Sequence, residues 1–509
     1  MELCLILILT FILRILPKLY LKSSISLDAY FHLFLKNTIR ENGNVPEKLE
    51  RILLNNNLVY PFGFHKLLSA IPKKYDLWID TISSAILDSI YVAIVYFFAY
   101  YTFSDPQIAL YSSLLVSLSP IFLRVSNAPR AYNVTPRVFG ELLILIFFIS
   151  LISFSTTNNY IWLLLSILIV PLNVLSSKFS SQVLLFFSIC LLIFGNYYAL
   201  FSLFIGLIIG YLLFGKVFIE IIKAHYYHSS FYYKYNQKKY LWPLKLSVQD
   251  YKLLIKRKFK EKKFLQWLYQ ENYLYHQLVF LYWPFFIILI SITHKEYSVI
   301  EKEFLIYISI SLFLTLLISI KKFLFLGEAE RYLEHTVFAQ SILLSSLLIY
   351  FNLEYILIIY LIQSILGYFF YLGIHKQYYS QAHLLFEEMK EIAESIDHKN
   401  TTVLPIAGLH WIVLYFSKNL KVIMTLNDNE RKFPYNKWKK ILGNYPFPGS
   451  KVLDIQKEFN YNYIIIRNDR IDQYHTKLND NVFISEELQL INKKELVSLY
   501  KIKDKNEHK

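Results

Sequence analysis

Residues 3–36 read LCLILILTFILRILPKLYLKSSISLDAYFHLFLK, an apolar run that passes directly into a segment rich in aromatic residues. The first part is long enough to cross a bilayer, because a transmembrane helix needs about 20 mostly apolar residues. It has no basic start and no small-residue cleavage site, so we expect a retained anchor rather than a removed signal peptide. This stretch predicts a first membrane span followed at once by a folded loop.

The rest of the chain repeats the apolar pattern. Of its 509 residues, 55% are hydrophobic and only 18% are charged, a composition typical of multi-spanning membrane proteins. We therefore predict a mainly α fold, a polytopic membrane bundle of about 11 helices. The predicted spans are about 3–20, 81–103, 107–125, 138–156, 160–176, 179–194, 197–214, 275–293, 303–320, 335–351 and 353–373.

The loops and the tail define the predicted domains. Residues 1–374 form a transmembrane domain with a first external loop at about 21–80 and a long loop at about 215–274. Residues 375–509 alternate short β-like and helical runs, which predicts a small soluble α/β domain. The predicted strands lie in TTVLPI (401–406), KVIMTL (421–426) and YNYIIIRND (461–469), and the predicted helices in GLHWIVLYF (408–416) and SKVLDIQKEF (450–459).

The net charge of +15 indicates acidic partners. Most Lys and Arg residues lie in loops between apolar segments, where membrane lipids and lipid phosphates are nearer partners than nucleic acid, so we expect no nucleic-acid binding. Cys4 and Cys190 both lie in apolar runs and cannot build a disulfide framework or a thiolate zinc site. A cytoplasmic N-terminus would place both long loops and the tail outside, although the lysines of residues 216–263 favour the inside.

Asp28 is the first candidate for chemistry. Asp28, His32 and Lys36 recur every four residues, and the apolar residues around them follow the spacing of another helix face. The pattern predicts an amphipathic helix along the membrane interface, with Ser26 as its N-cap and Asp28 ionised in its first turn. Such a carboxylate can act as a general base or bind a divalent cation, or the stripe is simply the solvated side of the helix.

Four further segments carry candidate binding groups on the same predicted side of the membrane. Arginine suits a lipid-linked phosphate because its planar fork donates paired hydrogen bonds. Charged residues at span ends are also typical of snorkelling anchors. The candidates are His65 in YPFGFHKLLSAIP (60–72), Arg130 and Arg137 in SNAPRAYNVTPRVFGELL (126–143), Lys178 in SSKFSSQ (176–182), and Glu328, Glu330 and Arg331 in LGEAERYLEH (326–335).

Taken with the span layout, the chain resembles the GT-C class of polytopic glycosyltransferases, which includes protein O-mannosyltransferases, aminoarabinose transferases and oligosaccharyltransferase catalytic subunits. The resemblance is carried by LDAYFHL (27–33), YPFGFH (60–65), GEAERYLE (327–334) and the third connection, which is the Arg-bearing segment 126–143 between the third and fourth predicted spans. It implies a hexosyl- or pentosyltransferase that takes a sugar from a polyprenyl-phosphate carrier. It also implies that Asp28, the acidic residue of the first external loop, serves as base or as ligand of Mg²⁺ or Mn²⁺.

One departure narrows this expectation. Oligosaccharyltransferases, which the chain resembles, are expected to have further acidic residues in a second external loop. The connection SNAPRAYNVTPR (126–137) has none, and the first acidic residue after it is Glu141. A metal-independent transfer to a hydroxyl therefore fits better than a metal-dependent transfer to an amide. His32, His65, Arg130, Arg137 and Lys178 would then bind substrate together with the GEAERYLE segment. The acceptor is a glycan, lipid or protein, and we expect the site on the outer face of a prokaryotic cell membrane.

Two other functions remain open. A lipid-linked glycan flippase or another transporter would use similar phosphate-binding arginines, and polar residues that face each other deep in the spans would favour it; the sequence offers the scattered candidates Arg14 and Asp88. A polysaccharide polymerase is chemically close. The stretch 223–246, KAHYYHSSFYYKYNQKKYLWPLKL, is either an interfacial aromatic and basic platform or an ordinary connector.

Overall fold

The computed structural model describes residues 1–21, 27–54, 56–123, 133–231, 233–234, 248–262, 283, 286–291, 297–318, 321–327, 329, 331–399, 401–405, 409–425, 452–468 and 488–503. The chain divides into two compact units. The first consists of Met1–Tyr20, Leu77–Ile222 and Tyr232–Lys376, and the second of Leu21–Asp76, Lys223–Phe231 and Gln377–Lys509.

Helices dominate the described chain, as predicted. In chain order they are α1 (Glu2–Leu21), α2 (Leu27–Asn42), α3 (Gly63–Leu68), α4 (Asp76–Phe103), α5 (Pro106–Ser117), α6 (Pro120–Leu123), α7 (Pro136–Thr157), α8 (Tyr160–Ser176), α9 (Lys178–Ile193), α10 (Tyr197–Phe231) and α11 (Val248–Lys260), followed by Val299–Ile318, Arg331–Glu334, Val337–Tyr350, Tyr355–Ser395, His410–Phe416 and Val452–Phe459. Short 3₁₀ helices cover Lys73–Tyr75 and Lys321–Leu326.

Five helices of the described residues are long and apolar enough to cross a membrane. They cover Glu2–Tyr20, Lys73–Phe103, Pro106–Leu123, Pro136–Thr157 and Tyr197–Phe231, and shorter apolar helices cover Tyr160–Ser176, Lys178–Ile193, Val337–Tyr350 and Tyr355–Phe369. The predicted span 275–293 lies largely outside the described residues, so the count of eleven stays a prediction.

The core of the first unit lies around α7. Thr135 caps this helix by accepting the Arg137 backbone N–H, and Pro136 occupies its first turn, where a missing N–H costs nothing. A close approach to α9 is possible because residue 140 is glycine: a Cβ there would lie 2.3 Å from Ser180 Oγ. This contact brings the first turn of α9, with Lys178, beside the first turns of α7, with Arg137.

A break in α10 separates its apolar first part from its polar end. Gly215 adopts φ 55° and ψ −133°, outside the helical region, and only glycine reaches this backbone conformation readily. The predicted span 197–214 therefore ends at a real discontinuity of the helix. The resemblance of GYLLFGKV (210–217) to a phosphate-binding loop carries no function, because Gly210 packs against the ring of Phe218 within this apolar helix.

The second unit contains a six-stranded mixed sheet in the order β1-β3-β2-β4-β6-β5. The strands are β1 (Ile52–Leu54), β2 (Thr402–Pro405), β3 (Lys421–Thr425), β4 (Tyr463–Arg467), β5 (Leu488–Lys493) and β6 (Val497–Ile502). The first four pair in parallel, and β6 runs antiparallel to both of its neighbours, β4 and β5. The three strands and two helices predicted in the tail are confirmed, while β1 comes from the first loop.

A buried carboxylate fixes the β5–β6 hairpin to the Tyr355–Ser395 helix. Glu388 is 7% exposed and accepts the backbone N–H groups of Glu495, Leu496 and Val497 at 3.0, 2.8 and 3.0 Å. Three donors to one carboxylate offset the cost of burying its charge.

The structure differs from the predicted interfacial position of α2. Ala29 to Asn37 are buried throughout, including two of the three members of the predicted polar stripe, His32 and Lys36. The apolar face packs into the core of the second unit with the His410–Phe416 helix and the strands. His32 and Lys36 are buried because each finds a polar partner elsewhere in this unit, whereas Asp28, the first member of the stripe, is exposed.

Candidate functional site

Asp28 lies at the accessible end of α2. It occupies the first turn and is exposed, whereas the next nine residues are buried. The positive end of the helix dipole favours the ionised carboxylate at such a position. The predicted cap Ser26 lies outside the described residues. Asp28 is thus the acidic group that α2 presents at its N-terminal end.

The two predicted histidines meet. His32 Nδ1 and His65 Nε2 are 2.9 Å apart, so one ring nitrogen donates a hydrogen bond to the other. His65 is held by α3 and is fully buried, and His32 is 6% exposed. Aromatic rings surround the pair: Phe31 lies 4.9 Å from Tyr60 and 4.4 Å from Trp411, centroid to centroid. The first loop therefore folds back so that its two motifs form one cluster.

Burial keeps the two histidines of this cluster neutral, beside the charged carboxylate of Asp28. Burial lowers the pKa of His65 to about 3, while the Pro61 backbone acts in the opposite direction. Burial, and then the neighbouring imidazole, lowers the pKa of His32 well below its ordinary value. The pKa of Tyr60 is raised by burial and by the charge of Asp28. Both imidazoles are therefore neutral at pH 7, and the Asp28 carboxylate lies within electrostatic reach of the Tyr60 phenol.

Lys36, the third member of the stripe, forms a buried ion pair with Asp76. Asp76 also accepts hydrogen bonds from Asn37 at 2.6 Å and from the Tyr415 hydroxyl at 3.0 Å. The Lys36 amine is thus paired with a carboxylate that accepts from three donors, which indicates a structural role for Lys36. Sequence analysis missed Asp76 and Tyr415, since neither belongs to a motif.

In the first unit, Arg137 joins two carboxylates. Its Nε donates to Glu141 at 3.1 Å, one turn along α7, and its Nη2 donates to both oxygens of Glu334. Glu334 is 2% exposed, and its pKa is raised by burial, an effect that Arg137 opposes. The third connection and the GEAERYLE segment thus meet at this ion-pair cluster, and most of the Arg137 fork is already occupied.

Arg331 lies beside the same cluster. Its guanidinium carbon is 5.3 Å from the centre of the Phe179 ring, within cation–π distance, and its charge also acts on Glu334. Lys178 precedes Phe179 and is half-buried at the start of α9. Arg331 therefore lies over the ring of Phe179, and Lys178 is the residue before that phenylalanine. Arg130, Glu328 and Glu330 fall outside the described residues, so their predicted roles stay predictions.

A buried polar seam runs between α1 and α4. Arg14 Nε lies 2.6 Å from Asp88, and its Nη1 donates to the Ser117 carbonyl at 3.0 Å. One turn further along α1, Lys18 pairs with Asp80. Arg14 and Asp88 looked scattered in the sequence but face each other here. The four-residue spacing of Arg14 and Lys18 and the eight-residue spacing of Asp80 and Asp88 each keep a pair on one face of its helix, and this was the available signal.

The seam continues to the third connection. Asp80 Oδ1 accepts the Val134 backbone N–H at 2.9 Å, and Ser84 donates to the Asn133 carbonyl at 2.8 Å. Asn133 and Val134 lie four and three positions before Arg137. The seam therefore fixes the start of the segment that carries Arg137.

A cation at Asp28 can be tested against its surroundings. Within the described part of the chain, no three His, Cys, Asp or Glu side chains come close enough together to hold a metal ion. The two histidines nearest in sequence to Asp28 on this cluster bond to each other instead. The described residues therefore supply no ligand set for a cation at Asp28.

Comparison with known proteins gives matches in structure only. No known family matches the sequence, and no curated protein matches it. The oligosaccharyltransferase of Archaeoglobus fulgidus in its apo form superposes with a TM-score of 0.56 at 12% identity, over 92% of this chain and 69% of that chain. Its complex with Zn and sulfate gives 0.56 at 13% identity, over 96% and 71%.

A further structural match is ArnT from Cupriavidus metallidurans, with a TM-score of 0.46 at 9% identity over 98% of this chain and 97% of that chain. At these identities, the likeness to the archaeal enzyme concerns the fold. Together with the apolar helices and the small sheet, it shows that this chain has a GT-C-like fold.

Proposed function

We propose that the chain is a membrane glycosyltransferase that moves a sugar from a polyprenyl-phosphate donor to an acceptor hydroxyl on the non-cytoplasmic face. The acceptor oxygen forms a bond to the anomeric carbon, and the bond from that carbon to the phosphate oxygen breaks. The acceptor proton passes to Asp28, and polyprenyl phosphate leaves. The GT-C-like fold supports the reaction class.

The observation that carries the proposal is the contrast along α2. Asp28 is exposed, whereas His32 and Lys36, at later turns of the same stripe, are buried. A general base must be ionised and must reach the proton that it removes. The first turn of the helix satisfies both needs, because the dipole favours the carboxylate and the chain there is accessible.

We assign the His32 and His65 pair to positioning of this turn. Both rings are neutral and too deeply buried to present two free nitrogens to a substrate. Their hydrogen bond links α2 to α3 and fixes the rotation of α2 about its axis. Asp28 shares the face of His32, so its direction follows from that rotation.

For the leaving phosphate we propose Arg331 and Lys178. Arginine and lysine stabilise negative charge that develops on an oxygen as the bond breaks. Arg137 is instead held between Glu141 and Glu334, so in this proposal it orients the neighbouring segment. The archaeal oligosaccharyltransferase, which is similar in fold, has been solved with dolichol-phosphate; a lipid phosphate is the chemistry that we propose here.

The test replaces one oxygen of the base. Asp28→Asn is expected to lower sugar transfer in membranes by about 10²–10⁴-fold, the usual contribution of a general base. Glu41→Gln is the matched control, because Glu41 is an exposed carboxylate in the last turn of the same helix. Equal transfer by Asp28→Asn and the control would refute the assignment.

The buried seam favours a second candidate function, a lipid-linked glycan flippase. Its charges face each other within apolar helices, as they do along many transport pathways. Every carboxylate of the seam is paired, however, which also suits a purely structural contact. The transferase and the flippase are separated by following a fluorescent lipid-linked sugar and measuring both its translocation across the membrane and its transfer to an acceptor. A flippase keeps translocation in the Asp28→Asn variant.

A further inference from the structure

Helix α11 carries an unusual charge for a segment with an apolar stripe. Residues 232–263, which contain it, hold eleven Lys and Arg against two acidic residues, a net charge of +9. Within the helix itself, Lys252, Lys256, Arg257 and Lys260 are exposed. The charge lies in the unit that also contains the apolar helices.

Four of the six apolar residues of α11 recur on one side, the exceptions being Leu253 and Leu254. At 100° per residue, Val248, Tyr251, Ile255 and Phe259 fall within an arc of about 80°. Lys252 and Lys256 border this arc on one side and Lys258 on the other. Phe259 is 58% exposed, so more than half of this large apolar side chain is accessible on the stripe. Leu253 lies off the arc and is also exposed.

Both features match one surface. A helix with an apolar stripe bordered by lysines lies in the plane of a membrane interface, with the stripe among the acyl chains and the amines at the phosphates. The positive charge selects anionic headgroups, each basic residue near the surface adding to the attraction. An acidic protein would satisfy the charges but would leave the aromatic and aliphatic stripe in water.

We propose that α11 is an interfacial helix that binds anionic phospholipids, with Phe259 inserted and its flanking lysines on the phosphates. The proposal is independent of the transferase reaction. It assigns a lipid-binding role to the centre of the long loop, whereas the sequence left open whether that loop is a platform or a connector.

The test compares two neighbouring positions on opposite sides of α11. The full chain carrying Cys4→Ser is given one new cysteine, either Phe259→Cys on the stripe or Arg257→Cys about 160° away. Each is labelled with an environment-sensitive fluorophore and placed in nanodiscs of phosphatidylcholine alone or with phosphatidylglycerol, with brominated acyl chains as quencher. The buried Cys190 is the background, measured in the parent without a new cysteine.

We expect at least twofold stronger quenching at 259 than at 257 in the anionic nanodiscs. That difference should shrink in phosphatidylcholine alone and in 0.5 M salt, because salt screens exposed charges. Lys252→Gln with Lys256→Gln, added to the 259 probe, should reduce the quenching in the same way. Weak, equal quenching at both positions in anionic nanodiscs would overturn the proposal, as would quenching at 259 that ignores lipid charge and salt.

Discussion

The hydrogen-bonded pair of His32 and His65 predicts that the second unit loses stability in mild acid. His65 is fully buried with a pKa of about 3, and the pKa of His32 is also lowered. A histidine in an unfolded chain has a pKa of about 6.5. Below pH 6.5 the two histidines therefore bind protons in the unfolded state but not in the folded state. The free energy of unfolding is at its full value above pH 6.5 and falls as the pH drops toward the pKa of the folded state.

The magnitude follows from the two pKa values of His65. One pKa unit corresponds to about 1.4 kcal/mol, so moving from pH 7.5 to pH 5.0 removes about 2 kcal/mol through this residue alone. For a unit of this size, that loss lowers the midpoint of thermal unfolding by about 4–8 °C. His32 adds to the loss, because its proton uptake is opposed by the same burial.

The assay is thermal unfolding of the detergent-solubilised chain between pH 7.5 and pH 5.0. Replacing both histidines by phenylalanine removes the two titrating groups among rings that already surround them, and should flatten the pH dependence. His398→Phe, at an exposed position, is the matched control and should keep the wild-type slope. If the double variant fails to fold, acylation of wild-type imidazoles by diethyl pyrocarbonate gives an independent measure, since buried rings should resist it at pH 7. A double variant that folds and keeps the full acid slope would refute the reasoning.

Two further predictions concern buried charges. Arg14→Met should lower the free energy of unfolding by about 3–5 kcal/mol, because it leaves Asp88 buried and unpaired, and adding Asp88→Leu should restore most of that loss. Thermal unfolding in detergent measures both variants. An unchanged midpoint for Arg14→Met alone would contradict the pairing. Glu388→Gln should lower the free energy of unfolding by about 1–3 kcal/mol and speed amide hydrogen exchange at residues 495–497, because Glu388 accepts their N–H groups. Glu387 is exposed, so Glu387→Gln should leave the exchange unchanged. Equal exchange in the two variants would argue against this role of Glu388.

The four-residue spacing of Asp28, His32 and Lys36 was enough to place them on one face of one helix. The sequence could not show whether that face meets water or protein, because the deciding partners lie far along the chain: His65 is 33 residues from His32, and Asp76 is 40 from Lys36. Amphipathicity is a local property, whereas burial depends on such distant pairs.

The same limit applied to the sheet and to the arginines. Strands β2, β3 and β4 were visible as short β-branched runs in the tail, but β1 has three residues in a polar loop and is defined only by its pairing with β3. Arg137 has the residue type expected for phosphate, yet its hydrogen bonds go to Glu141 and Glu334, the latter 197 residues away. Residue type predicts what a side chain can bind, and the fold decides what it does bind.

The seam between α1 and α4 has a consequence for biogenesis. Arg14 and Lys18 leave the ribosome well before their partners, which follow 74 and 62 residues later. A lysine or arginine near the centre of a span raises the free energy of membrane insertion by about 2.5–3.5 kcal/mol. During synthesis, Arg14 therefore opposes the insertion of α1 until α4 emerges with its aspartates. The order in which the two helices leave the ribosome thus decides how long this charge stays unneutralised.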